Sequence, residues 1–176
     1  MRKVIGLTGP IASGKNEVAK ILRSKGAYVI DVDKLAHTLL NGRVLKVFGT
    51  VDRKKLGEIV FSDKKKLRKL NKIVHPALKK AVLRKIKGLG TIIINAAVLK
   101  EIGLVGYVDE VWVVMAKKGI RLKRLMKKGL SKKQALARIN SQMPQKDYLK
   151  MADKVIRNDS PLKTLKKKLV KLNSTY

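Results

Sequence analysis

The chain has 176 residues, 45% of them hydrophobic, which is enough for one domain with a real core and excludes general disorder. It contains no cysteine, which excludes a disulfide scaffold and any cysteine-based zinc site. Lysine and arginine number 43 against 12 acidic residues, a formal charge of +31. Such a field attracts polyanions, whether nucleotides, coenzymes, nucleic acids or acidic membranes, unless it is no more than a solvated lysine surface.

The opening run MRKVIGLTGP is too short in apolar residues for a signal peptide and passes straight into a Gly-rich loop. No stretch approaches the roughly 18 apolar residues that span a membrane, so a cytoplasmic protein is expected. KVIGLT (3–8) predicts a buried strand. NEVAKILRSKG (16–26) places Val18, Ile21 and Leu22 on one helical face and closes at Gly26. AYVIDVD (27–33) predicts a second strand ending in acids. Residues 34–87 read as mostly helical and very basic, with breaks at Asn41-Gly42, Gly49 and His75-Pro76. His75 is accordingly expected near a helix start. GTIIIN (90–95) and DEVWVVM (109–115) predict strands three and four, and GIRLKRLMKKG (119–129) a helix. SKKQALARINSQ (131–142) predicts another helix, with Ser131 and Gln134 at capping-box spacing. ADKVIRN (152–158) predicts a fifth strand. Ser160 and Pro161 then open a last helix striped by Leu162, Leu165, Leu169 and Leu172. Strands alternating with helices imply a parallel sheet covered on both faces.

Two motifs carry chemistry. GPIASGKN (9–16) has Gly9, Gly14 and Lys15 in phosphate-loop spacing between a strand and a helix, the context that the motif requires. Backbone N–H groups and the helix N-terminus attract phosphate, and Lys15 reaches the β- and γ-phosphates as a point charge. The last position is Asn16 where Ser or Thr is usual. Asn16 still offers an oxygen to magnesium, directly or through water. The second motif is VIDVD, with Asp31 and Asp33 at the carboxyl end of a strand, where open α/β sheets bind ligands. Alternation predicts both carboxylates on one side. One of them could accept a proton from an attacking hydroxyl and the other hold water around magnesium. The competing reading makes Asp33 a cap for a helix starting at Lys34.

These residues, in this order, resemble the bacterial dephospho-coenzyme A kinases. IGLTGPIASGK, VIDVDKLAH, VFG, DRKKLGEIVF, LNKIVHPAL, VDEVWVV, RLKRLM, ARINSQ and ADKVIRND follow in family order over almost the whole chain. The resemblance implies a P-loop α/β fold of three layers (α/β/α) with a five-stranded parallel sheet, a helical acceptor-binding insert and a helical lid. The implied bounds are core 1–33, 88–124 and 150–176, insert 34–87 and lid 125–149. The implied reaction transfers the γ-phosphoryl of ATP, with Mg2+, to the ribose 3′-hydroxyl of dephospho-coenzyme A, in a protein expected to be a monomer. Asp33, Lys15 and Arg124 match the family's catalytic residues. Arg124 is expected to neutralise charge on the transferring phosphoryl oxygens. The nucleotide site is expected to comprise Gly9, Pro10, Ile11, Ala12, Ser13, Gly14, Lys15, Asn16 and Glu17, with Arg138 from the lid and Asn158 from the adenine pocket. Asn16 and Asp31 are the expected metal residues. Arg138 and Gln142, four apart, are expected on one face of the lid helix, and His75 has a secondary reading as an acceptor contact.

The chain departs from the family pattern at Asn16, at Lys128 (where a second lid arginine is usual), in the compact VFGTVDRKKL and in NAAVLKEIGL. Two other readings remain open at this stage. One is a related nucleoside or nucleotide kinase. The other is a nucleic-acid-binding protein that keeps the fold without the activity, suggested by the charge and by Asn16. Aromatic residues are only 4%, which leaves few platforms for base stacking. Asp33 discriminates, because a phosphate-backbone binder has no use for an acid beside its anion site.

Overall fold

The computed structural model describes residues 2–40, 42–88, 90–160 and 162–173. Five strands form one parallel sheet: β1 (Arg2–Thr8), β2 (Tyr28–Asp31), β3 (Gly90–Asn95), β4 (Glu110–Met115) and β5 (Lys154–Arg157), in the order β2-β3-β1-β4-β5. The near-continuous apolar runs of β1, β3 and β4 are what a parallel strand buried on both faces requires. The pleat sorts them. Ile92 and Ile94 of β3, with Val111, Val113 and Met115 of β4, face one layer; Ile93, Trp112 and Val114 face the other.

The second layer is built by α1 (Lys15–Arg23) and α9 (Leu162–Asn173), which bury Val18, Leu22, Leu165 and Leu169 on the sheet. The side chains of Leu162 and Leu172 and the expected Pro161 helix start lie outside the described residues, as does Asn41. The first layer is the basic segment. It folds as α2 (Val32–Thr38), α3 (Gly42–Phe48), α4 (Arg53–Phe61) and α5 (Lys64–Lys85). Asp52 and Asp63 cap α4 and α5, each accepting from two backbone N–H groups. Three further helices follow β4 and precede β5: α6 (Lys118–Met126), α7 (Lys132–Asn140) and α8 (Gln145–Lys150). The predicted capping box of Ser131 and Gln134 is formed in full.

Several expectations need correction. Helix α5 does not break at His75-Pro76; Pro76 sits inside it and His75 in its middle. Val74, Leu78 and Val82 on either side are buried against the core, so packing outweighs the one backbone bond a proline removes. Strand β2 ends at Asp31, and the chain turns at once into α2. Asp31 is therefore the helix cap, accepting from the Lys34 N–H at 2.9 Å, while Asp33 lies in the first turn. The strand-alternation argument for the two acids fails for that reason, and so does the reading of Asp33 as the cap. Helix α8 has no counterpart in the sequence reading.

Candidate active site

The loop between β1 and α1 is shaped by close approaches. Gly9 has φ 147°, and a Cβ there would collide with the carbonyl oxygen of Val114. Gly14 has φ 97°, and a Cβ there would collide with the Asn158 amide. Both positions need glycine for conformation and for space. Ala12 also sits at positive φ, 60°. For a residue with a side chain this is an unfavourable conformation, of the kind that concentrates at ligand-binding loops.

Two flanks hold this loop. On one flank, α6 sends two arginines to its carbonyl groups. Arg124 donates to Ala12 O and Ser13 O, each at 3.0 Å, and to Asn158 O at 3.0 Å. Arg121, three residues earlier on the same helical face, donates from Nε to Ile11 O at 2.8 Å. The Gln142 side-chain oxygen accepts from the Ile11 N–H at 2.7 Å and from Arg121 at 3.3 Å. The buried Asn158 amide donates to Ser13 O at 2.8 Å. Burial lowers the Arg121 guanidinium from its ordinary value, and the neighbouring Tyr148 hydroxyl opposes that shift.

The other flank carries the reactive groups. The Lys15 ammonium, 7% exposed, donates to Asp33 Oδ2 at 3.1 Å and to Asn95 Oδ1 at 3.0 Å. The Asn95 amide donates onward to Asn16 Oδ1 at 3.0 Å. The Asp33 side chain keeps 44% exposure, so an incoming hydroxyl can reach it. The Ser13 hydroxyl is buried without a partner among the described residues. Tyr148, from the unforeseen α8, is buried nearby; burial and the Glu101 carboxylate push its hydroxyl far above the ordinary phenol range.

Gly9 through Asn16, Asp33, Arg124, Asn158 and Gln142 thus meet in one place. Three expected residues do other work here. Glu17 turns outward to pair with Lys20 at 2.9 Å. Asp31 uses one oxygen as the α2 cap. Arg138 lies over the Phe61 ring of α4, 5.2 Å from its centroid. Gln142 falls beyond the end of α7, so it and Arg138 do not share a helical face; one serves the loop, the other touches α4. Asn95 and Arg121 were missed from sequence, though both left a signal. Asn95 is a polar residue closing a run of isoleucines at the ligand edge of the sheet, and Arg121 is an arginine one turn before Arg124.

The donors can be tested against the groups this loop is suited to. Among the described residues no group of three or more His, Asp or Glu side chains is placed to hold a metal alone. The oxygens of Asn16 and Asp33 fit a magnesium ion that a polyphosphate carries in, since that ion keeps several waters and takes one or two protein oxygens.

Residues 3–164 match the dephospho-CoA kinase family. A dephospho-CoA kinase of Carboxydothermus hydrogenoformans is 38% identical, with 95% of this chain and 91% of that protein aligned. One from Bacillus cereus is 40% identical, covering 96% and 94%. Among solved structures, a Thermus thermophilus protein superposes with a TM-score of 0.80 at 32% identity, covering 99% of this chain and 97% of that one. A dephospho-CoA kinase from Campylobacter jejuni gives 0.70 at 28%, covering 99% and 96%. A shikimate kinase from Acinetobacter baumannii, at 14% identity and a TM-score of 0.62, shares the fold alone, with 99% and 94% covered.

Proposed function

The chain belongs to the dephospho-CoA kinase family, and from that premise we propose how its own residues divide the work. The reaction is transfer of the γ-phosphoryl of ATP to the ribose 3′-hydroxyl of dephospho-coenzyme A, giving coenzyme A and ADP. Neither the family match nor the relatives support a nucleic-acid binder or another acceptor class.

The observation that carries the residue assignment is the contact between Lys15 and Asp33 at 3.1 Å. It joins the loop cation to the acid in one site. When ATP enters, its phosphates compete for the Lys15 ammonium, and Asp33 Oδ2 is released. Asp33 then accepts the proton of the 3′-hydroxyl as that oxygen bonds to the γ-phosphorus and the bond from phosphorus to the bridging oxygen of ADP breaks. Lys15 keeps its bond to Asn95 and neutralises the phosphate oxygens. The loop N–H groups cradle the phosphates because Arg121 and Arg124 hold the carbonyl groups on the far side. The unpaired Ser13 hydroxyl is one more donor for a ligand oxygen.

Magnesium is part of this proposal. Bound with ATP, it would supply neutralisation of the phosphate charge. Asn16 and Asp33 are the protein groups that would hold it; Asp31 remains in the reading through its second oxygen. Residues 34–87 are proposed as the acceptor-binding part and 125–149 as the lid, with Arg138 passing from Phe61 to nucleotide on closure. Action as a cytoplasmic monomer belongs to the same reading, and size-exclusion chromatography tests the oligomeric part. The basic helix α5, which has no acidic residue, should retain nucleic acid on purification in a salt-dependent way.

A coupled ADP-release assay with purified protein, ATP, magnesium and a panel of nucleoside, nucleotide and coenzyme acceptors tests the function. Release should depend on dephospho-coenzyme A. Equal release with other acceptors would overturn the substrate assignment.

A further inference from the structure

We propose that Asn95 is a positioning residue of the phosphate site: its amide fixes the direction in which Asn16 offers its oxygen to nucleotide-bound magnesium. The inference rests on the magnesium reading above and extends it to a residue outside the loop and the acid motif.

Hydrogen-bond polarity sets the orientation of both amides. Asn95 is 2% exposed and closes β3 behind three buried isoleucines. An ammonium group only donates, so the atom facing Lys15 at 3.0 Å has to be the Asn95 oxygen. The Asn95 nitrogen then faces Asn16, also at 3.0 Å. Two amide nitrogens would oppose each other there, so Asn16 has to turn its oxygen inward. The order Lys15, Asn95, Asn16 thus runs donor to acceptor along the whole chain, with no freedom to flip either amide. The Asn16 oxygen keeps a second lone pair, and Asn16 itself is exposed at the mouth of the loop.

A phosphate loop of the usual kind sets a Ser or Thr hydroxyl and a strand-end aspartate around magnesium. A hydroxyl rotates to suit its neighbour, whereas an amide has distinct ends. With Asn at position 16, a strand-end carboxylate at position 95 would draw the Asn16 nitrogen toward itself and turn the oxygen away from the metal. The neutral amide of Asn95 does the reverse. Positions 16 and 95 are therefore a matched pair, and each is predicted to work with only some residues at the other.

A double-mutant cycle on the full chain tests this, using Asn95→Asp, Asn16→Thr and the two together. One readout is the affinity for a fluorescent ATP analogue, titrated with magnesium and again in EDTA. The other is the magnesium concentration for half-maximal activity. Asn95→Asp adds a negative charge beside Lys15, which should weaken nucleotide with or without metal. In magnesium alone it should lose about a further tenfold, the scale of one hydrogen bond to a charged group. Adding Asn16→Thr should recover that further loss and leave the EDTA value unchanged, because a hydroxyl can donate to the new carboxylate. Independent, multiplying effects in the magnesium titration would overturn the pairing. Should Asn95→Asp not fold, Asn16→Ala at its exposed position removes the oxygen without burying a charge. It should raise the magnesium requirement severalfold, and an unchanged requirement would equally overturn the proposal. Nucleotide affinity and turnover indifferent to magnesium in the native protein would instead overturn the magnesium reading itself, and this inference with it.

Discussion

The phosphate loop, at the end of β1, and the helical segment 34–87, over one face of the sheet, are held in different ways. Polar contacts hold the loop: two arginines, two asparagines, a glutamine and a lysine reach it or leave it within 3.3 Å. Apolar burial holds the helical segment, through Val44, Leu56, Val60, Val74, Leu78 and Val82, with polar contacts mainly at its helix caps. It also leaves Leu45, Val47, Val51 and Phe61 partly open to solvent. A charged, fixed ligand needs directional donors. A helical layer needs only a matched apolar face, and its ligand contacts can be distributed. Changes in the loop should therefore act on chemistry and nucleotide affinity, and changes in the helices on stability or acceptor binding.

The largest expected effect tests the loop half of that contrast. Asp33→Asn keeps the size of the side chain and an oxygen for Lys15 but cannot take a proton. Turnover should fall by roughly 10²–10⁴, the range for a general base, with ATP affinity nearly kept. Single-turnover kinetics showing native rates would remove Asp33 from proton transfer. Arg124→Lys comes next. Lysine keeps the charge but loses the planar fork whose two nitrogens span Ala12 O, Ser13 O and Asn158 O, and charge-assisted hydrogen bonds are each worth about 1.5–3 kcal/mol. ATP affinity should drop by about tenfold or more, together with the melting temperature. A loss of turnover alone, with affinity and melting unchanged, would mean that Arg124 acts on the transferring phosphate and not on the loop.

The contrast also explains what could be read in advance. The Gly-rich loop and Lys15 were legible because spacing along one strand–loop–helix unit encodes their geometry; Asp33 stood out only as an acid just past the end of β2, since the alternation used to orient it does not hold. The five strands were legible because parallel strands are apolar on both faces. The turn at Asp31 was not: VIDVD has the alternation of a strand, and only the cap bond to Lys34 ends it there. Nor was the passage of α5 through Pro76, because burial of Val74 and Leu78 lies in tertiary structure. Asn95 and Arg121 act on groups that are distant in sequence, 79 and 110 positions away. The local signals at both positions mark the residues but do not report these partners. Arg138 was expected at the nucleotide and stands over Phe61, a contact between α7 and α4 that neither helix announces.

That contact gives a smaller test, at the boundary between the two regions. An arginine over an exposed ring is worth about 0.5–1 kcal/mol. Phe61→Leu keeps an apolar side chain and removes the ring. It should change the KM for dephospho-coenzyme A or ATP by about two- to fivefold and leave kcat close to native. A much larger change, or one confined to kcat, would place Phe61 in the chemistry and undo the division.

The smallest effect belongs to the helical segment alone. Burial lowers the His75 imidazole from its ordinary value of 6.5, and a hydrogen bond to the Glu101 backbone offsets part of that shift. Burial likewise lowers His37, with Arg53 adding to the effect. In the folded chain each imidazole therefore takes up its proton at lower pH than in the unfolded chain. Between the two values the unfolded state binds more protons, so stability rises with pH. The contribution is complete above about 6.5 and is lost as pH falls through that value toward the folded one. Melting temperatures from pH 8 down to pH 5 should fall for the native chain, and less steeply for His75→Gln, which cannot take the proton. Asp33 and Lys15 are unchanged in that variant, so turnover at pH 8 should stay near native. An identical slope in the native and variant chains would show that His75 has the same proton affinity folded and unfolded. A loss of turnover at pH 8 without loss of stability would instead move His75 from the packing of α5 to the acceptor site.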